Sequence, residues 1–307
     1  MTLEPSHLLD PEVVVAAEEV PPQTTWNPQT MRAAGATILD QDTPVPEGLT
    51  RAVFTVPTDG GNLELRVHSP QDGASAVILS IHGGGFVAGQ AKYDDPWNAI
   101  LALRSGATVV SPNYRLAPEA PFPLPLEDCL AAWTWIITQY PEATRIIYGD
   151  SAGGNLAAGL SLRCRDAGIR MPDHVFLIEP VLDDRLSTAS MQGATSTAVW
   201  DLPNATASWK AYLGDQKPTS HAAPARETDL SGFPPTFLLA NQCDPLLDEN
   251  LAFARSLTEA NVPTEAILLP GTCHGILGLN GPRIADRARK LVLDRLVDLI
   301  DVRQSYE

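Results

Sequence analysis

From residue 76 onward two textures take turns along the chain. Runs rich in Val, Ile and Leu ("AVILSIH", "ATVVSPNY", "TRIIYGD", "DHVFLIEP", "PPTFLLANQ", "PTEAILLP") read as buried strands. Longer amphipathic runs between them ("DPWNAILALRSG", "PLEDCLAAWTWIITQ", "SAGGNLAAGLSLRCRDAG", "PLLDENLAFARSLTEAN", "PRIADRARKLVLDRLVDLI") read as helices. Strand and helix in alternation imply parallel strands whose crossover helices cover both faces of one sheet. Ahead of this region, "RAVFTVP" and "NLELRVHSP" alternate around "TDGG" and predict an antiparallel hairpin. Two stretches break the rhythm. Residues 1–50 hold one or two amphipathic helices joined by a proline-rich connection. Residues 183–232 carry "TSTAVWDLPNATASWKAYLG", partly helical. The expected architecture is an α/β domain, residues 51–307, with a mostly parallel twisted sheet. Residues 1–50 and an insertion at about 183–232 form a cap over the carboxyl edge, where such sheets bind ligands.

Composition narrows the function. Hydrophobic residues make up 44% of the chain, enough for a core, while the net charge of −16 disfavours nucleic acid and anionic membrane surfaces as partners. No run of about eighteen apolar residues predicts a transmembrane helix. The acidic start, "MTLEPSHLLDPEVVVAAEEV", lacks the basic region of a secretory signal, so a cytoplasmic protein is expected. The four cysteines form no CxxC pair and have no zinc-ligand spacing, so reduced thiols and no metal are expected. Cys243 and Cys273 each directly precede a residue assigned below to catalysis, which leaves a disulfide between them as the alternative.

The motif "GDSAG" (Gly149, Asp150, Ser151, Ala152, Gly153) lies between a strand-like and a helical run. A turn this tight strains its central residue, and its glycines remove Cβ atoms that would clash. The result is a serine hydroxyl projecting at a helix N-terminus on the sheet edge. A serine needs a base within hydrogen-bond reach, and the base needs an orienting acid. Of the six histidines, His7, His68, His82, His174 and His221 sit in the wrong segments. His274, in "LLPGTCHG", follows the last strand and is the expected base. The acid should end the preceding strand, which selects Asp244 over Asp248, with Asp183 and Asp184 as rivals. Ser, Asp, His is the chain order of this nucleophile elbow.

The run "SIHGGGFVAG" then acquires a reason. Attack on an ester carbonyl creates an oxyanion that must be met by backbone N–H groups, and side chains would block the approach. Gly83 and Gly84 are the expected donors, joined by the N–H of Ala152. His82 is expected to tie down the loop through its side chain.

Taken together, "HGGGF", "NYRLAPE", "GDSAGGNLAA", "DPLLDE" and the late histidine resemble the hormone-sensitive-lipase-like (bacterial family IV) esterases of the α/β-hydrolase superfamily. The resemblance runs from about residue 50 to the C-terminus. "EPVLDDRLSTASM" with "WDLPNATASWKAYLG" is similar to the heroin-esterase-like branch. The resemblance implies the α/β-hydrolase fold, an eight-stranded sheet flanked by helices, and a cap from N-terminal helices plus an insertion. It implies Ser151, Asp244 and His274 as triad, Gly83, Gly84 and Ala152 as oxyanion hole, Asp150, Asn113 and Tyr114 as braces, and Glu119 as anchor of the "RLAPE" loop. Phe86, Trp97, Trp200, Trp209 and Ile276 are candidate pocket residues, Ile276 standing where many relatives carry Phe. Relatives often pair through the last strand, here "TEAILL", so a homodimer is one option.

The expected function is a serine carboxylesterase acting on short- to medium-chain acyl esters, acetyl esters included, through an acyl-enzyme. A small-molecule ester is the expected partner, and no cofactor or metal is required. Alternatives are an amidase, carbamate hydrolase or acyltransferase with the same triad, which fold and triad do not separate. A non-catalytic binding protein on a hydrolase scaffold is disfavoured by His274, the residue that such receptors lose.

Overall fold

The computed structural model describes residues 8–19, 27–38, 43–195, 197 and 199–304. His7 and the connection at 20–26 lie outside the described residues. Eight strands form one sheet: β1 (Leu49–Thr58), β2 (Gly61–Pro70), β3 (Ala76–Ile81), β4 (Thr108–Pro112), β5 (Thr144–Asp150), β6 (His174–Ile178), β7 (Thr236–Asn241) and β8 (Thr264–Leu269). Their spatial order is β1-β2-β4-β3-β5-β6-β7-β8. β1 pairs antiparallel with β2, turning through Asp59 and Gly60, and β2 pairs antiparallel with β4. Every later pairing is parallel. The strand–helix rhythm implies the mostly parallel sheet, and the family resemblance implies its eight strands and α/β-hydrolase fold.

Period-2 alternation divides the central strands between two cores. Val77, Leu79 and Ile81 of β3, Ile147 of β5 and Val175 and Leu177 of β6 face one side. There they meet Leu126 and Trp133 of α4 (Leu124–Gln139), Leu156 and Leu160 of α5 (Ala152–Ala167) and Phe253 of α8 (Leu247–Glu259). Ile78, Ile146, Tyr148, Phe176 and Ile178 face the other side, against α3 (Asp95–Ser105) and α9 (Arg283–Gln304). Full burial of each large aliphatic side chain contributes roughly 1.5–3 kcal/mol, which is why central strands read as unbroken apolar runs. Gly106 ends α3 in the left-handed conformation, as its place in "LALRSG" predicts.

The remaining helices lie near the carboxyl edge of the sheet. α1 (Pro11–Glu18) buries Val13 in the α3/α9 core, and Asp10 N–H donates to Gly271 O at 2.9 Å. α2 (Pro28–Ile38) sends Arg32 across to the carbonyls of Val87 and Ala117 at 2.7 and 2.9 Å. Within 183–232 lie α6 (Ala189–Gly193) and α7 (Leu202–Leu213). Asp201 caps α7 by accepting from Asn204 N–H at 2.9 Å, and Trp209 and Tyr212 on α7 pack onto the "HGGGF" loop. Among the described residues no helix is long and apolar enough to cross a membrane.

Candidate active site

Ser151 stands between β5 and α5 with φ 55° and ψ −116°, a region costly for any residue carrying a Cβ. The surrounding backbone holds it there. Ser151 N–H donates to Ile178 O at 2.9 Å, and its carbonyl accepts from Val181 N–H at 3.1 Å. Close approach explains Gly153: a Cβ there would lie 2.0 Å from Ile81 O. Asn155, one turn into α5, donates to Ala222 O at 3.0 Å and so ties the nucleophile helix to the insertion.

The Ser151 hydroxyl lies 2.8 Å from His274 Nε2, and His274 Nδ1 lies 2.8 Å from Asp244 Oδ2. All three residues are buried. Residues 123 and 30 positions apart in sequence thus form one hydrogen-bonded line. Asp244 also accepts from Leu246 N–H at 2.9 Å, which fixes its carboxylate. The rival acids are engaged elsewhere: Asp183 with Arg185, Asp184 with Arg226. Asp248 accepts from Ser190 N–H at 2.8 Å. None of the other described histidines reaches Ser151. His68 lies 3.6 Å from Asp95, His82 lies within the glycine loop, and His221 meets Asp166 at 2.8 Å.

The glycine loop runs beside the serine. A Cβ on Gly83 would lie 3.3 Å from Ser151 Cβ. Gly84 has φ +115°, and a Cβ there would meet Ala88 O at 2.2 Å. Among the described residues the N–H groups of Gly83 and Gly84 donate to no backbone carbonyl. Ala152 N–H belongs to the first turn of α5. His82 Nδ1 donates to Gly83 O at 2.8 Å, its ring stacks on Tyr114 at 4.1 Å, and Tyr114 Oη donates to His82 O at 2.9 Å. Burial pushes His82 down to about 4, so the ring is neutral and serves as a strut.

Several sequence expectations need correction. Phe86 is fully buried and stacks on Tyr212 at 4.0 Å, so its ring supports the loop from the core side. Trp209 belongs to the same aromatic group, and Ile276 is fully buried in the α3/α9 core. Trp97 packs against that core and donates its indole N–H to Tyr148 Oη at 3.0 Å. Trp200 alone of the five approaches the triad, with its ring centroid 5.9 Å from His274 and its edge against Gly85. Asn113 is exposed and accepts from Ala91 N–H at 3.3 Å, which places it outside the site. Glu119 is exposed and holds Arg32 of α2, which also donates to Ala117 O within the "RLAPE" run. Cys243 and Cys273 are free, and burial, followed by nearby carboxylates, raises their thiols to about 11 and about 12.

Sequence reasoning missed Glu179. It follows β6 with φ 38°, is buried, and accepts from Gly275 N–H at 2.6 Å and from Asn241 Nδ2. Its Oε1 lies 3.9 Å from His274 Nδ1. Glu179, Asp244 and His274 gather atoms able to hold a cation. His274 Nδ1 is committed to Asp244, so the trio reads as an acid–base cluster. Burial favours the neutral His274 ring, whereas the carboxylate of Asp244, hydrogen-bonded to Nδ1, favours the imidazolium that forms when Nε2 takes a proton.

The chain is similar to known proteins along most of its length. A family profile described as the alpha/beta hydrolase fold matches residues 78–278. Esterase LipI of Mycobacterium tuberculosis is 33% identical over 223 residues, 69% of this chain and 69% of that protein. An ethyl acetate hydrolase of Pseudomonas putida is 31% identical over 233 residues, 71% of this chain and 73% of its own. The solved structure of a bacterial heroin esterase superposes with a TM-score of 0.89 at 35% identity, covering 96% of this chain and 98% of that one.

Proposed function

The chain belongs to the hormone-sensitive-lipase-like esterases of the alpha/beta hydrolase fold, and from that premise we propose that it cleaves short- to medium-chain acyl esters, acetyl esters among them, by an acyl-enzyme route. The observation that carries the reading is the hydrogen-bonded line from Ser151 through His274 to Asp244. His274 Nε2 takes the hydroxyl proton as Ser151 Oγ attacks the acyl carbon. Asp244 holds the proton on Nδ1 and so keeps Nε2 free to accept. The developing oxyanion rests on the N–H groups of Gly83, Gly84 and Ala152, each worth roughly 2.7–4 kcal/mol of barrier. The proton then passes from His274 to the departing alcohol. Water, activated by the same imidazole, frees the acid and restores Ser151.

A small acyl group is supported by two features. The aromatic group of Phe86, Trp209 and Tyr212 fills the space behind the glycine loop, and Trp200 stands over Gly85. A relative bearing the name ethyl acetate hydrolase points the same way. Residues 1–50 and about 183–232 act as the cap that shapes this space.

The test is hydrolysis of p-nitrophenyl esters from acetate to palmitate by the wild type and by Ser151→Ala. Short esters should turn over fastest, and the variant should lose at least about 10⁴-fold in kcat. A wild type with neither turnover nor fluorophosphonate labelling would overturn the reading.

A further inference from the structure

The imidazole of His274 is held by Ser151 and Asp244, but the loop that carries it is held by a second set of buried groups that the steps above leave unused. Asn241 ends β7 and is 1% exposed. Its Oδ1 accepts from Thr272 Oγ1 at 2.9 Å, and its Nδ2 donates to Glu179 Oε2. Glu179 Oε1 in turn accepts from Gly275 N–H at 2.6 Å. Thr272 Oγ1 also lies 2.9 Å from Leu269 O at the end of β8. Thr272 and Glu179 are buried like Asn241. In the sequence "TCHG", Thr272 and Gly275 stand on either side of His274. The hydrogen bonds Thr272–Asn241–Glu179–Gly275 therefore close a ring around the backbone of His274, built from the ends of β6, β7 and β8.

Resting on the esterase reading, we propose that Asn241 is a positioning residue that couples the Asp244 turn to the His274 loop through this ring, and so fixes where the imidazole stands between Ser151 and Asp244. Its main chain serves the acid, because Asn241 O accepts from Asp244 N–H at 3.4 Å. Its side chain serves the base through Thr272 and Glu179. The two loops also meet where Cys243 N–H donates to Thr272 O at 2.9 Å. That bond reaches only the residues before His274. After it, Gly275 N–H is held by Glu179, and Glu179 by Asn241.

The residue type fits the task. Thr272 presents a donor and Glu179 an acceptor, so the group between them must accept on one side and donate on the other. A primary amide does both. An aspartate would set a carboxylate against that of Glu179, and an aliphatic side chain would leave both partners unsatisfied in a buried site. Buried networks in which every member is paired rigidify their surroundings, and a base must be held within hydrogen-bond reach of its nucleophile, here 2.8 Å. Glu179 joins the ring at a backbone cost. Its φ is 38°, and its N–H donates to Leu239 O at 2.8 Å, which extends the pairing of β6 with β7 past Ile178.

The experiment measures kcat and KM on a short p-nitrophenyl ester, and the rate of fluorophosphonate labelling of Ser151. The proteins are the wild type, Asn241→Ala, Thr272→Val, those two combined, Thr272→Ser and Asn241→Asp/Glu179→Gln. Asn241→Ala should lose about tenfold to a hundredfold in kcat and in labelling rate, with KM held within about threefold. Thr272→Val should lose about threefold to thirtyfold. The combined variant should fall no more than about threefold below Asn241→Ala, because one ring is opened only once. Thr272→Ser keeps the hydroxyl and should stay within about twofold of wild type. Asn241→Asp/Glu179→Gln exchanges donor and acceptor between the two positions and keeps every link, so kcat should return to within about threefold of wild type. Losses that multiply in the combined variant, an exchanged pair as slow as Asn241→Ala, an Asn241→Ala kcat within about twofold of wild type, or a change confined to KM would each overturn the positioning role. Should Asn241→Ala not fold, Thr272→Val against Thr272→Ser and the exchanged pair still decide the question. A wild type that neither turns over an ester nor takes the label overturns the esterase reading and the ring's role with it. A working wild type with any of the contrary results overturns the ring's role alone.

Discussion

Ser151 keeps a conformation that few residues tolerate, and its neighbours absorb the cost. The same holds for Gly84, where a positive φ and the Ala88 carbonyl leave no room for a methyl group. Gly84→Ala should distort the oxyanion loop and lower kcat by about 10²–10³-fold, read in steady-state hydrolysis of a short ester. Asp244→Asn should keep the geometry but favour the wrong imidazole tautomer, lowering kcat by about 10⁴-fold. Ser151, Asp244 and His274 were legible because "GDSAG" announces a strand-to-helix turn, and the chain order Ser, Asp, His then selects which strand ends must supply its partners. Glu179 was not. A lone acid in "LIEP" carries no spacing signal, and its left-handed backbone is invisible until β6 and β7 are paired. Phe86, Trp97 and Trp209 were misplaced for another reason. An aromatic near a motif has the same sequence signature whether it faces a substrate or a core, and Phe86 faces the core.

At the scale of elements, the alternating rhythm translated directly into sheet and crossovers, since parallel strands must be apolar on both faces. The placement of the extra helices was harder to read, because surface helices declare which side is apolar but not what covers it. α2 shows the device used. Arg32 bridges the carbonyls of Val87 and Ala117 and pairs with Glu119, clipping the helix onto the loop that leaves the glycine motif. Arg32→Ala should cost about 1–2 kcal/mol, since much of the guanidinium remains solvated, and thermal denaturation would show it as a lower Tm. An unchanged Tm would mean that α2 is held by its apolar contacts alone.

For the whole molecule, stability should depend on pH through buried acids as well as through the net charge of −16. Glu249 is buried on α8, with Oε1 accepting from Leu182 and Asp183 N–H and Oε2 unpartnered. Burial raises it from its ordinary 4.5 to about 8 despite those bonds. A raised carboxyl favours the folded state fully below 4.5, and that contribution fades as pH climbs through about 8. Glu249→Gln keeps the acceptor and removes the titration. Its stability advantage over wild type, read as a difference in Tm, should therefore grow between about pH 5 and about pH 8.5, to at most a few kcal/mol at about 1.36 kcal/mol per unit. A pH-independent difference would refute the assignment.

The 123-residue separation of Ser151 and His274 has a consequence for how the molecule is made. The serine turn is complete once β5 and α5 exist, yet His274 reaches it only after β8 is laid against β7. A nascent chain released before "GTCHG" would display a finished elbow with no reactivity. Such long-range closure is slow relative to local helix formation. During refolding, the onset of covalent labelling by a fluorophosphonate should therefore lag behind the recovery of helical signal, so that reactivity serves as a clock for the last strand's arrival.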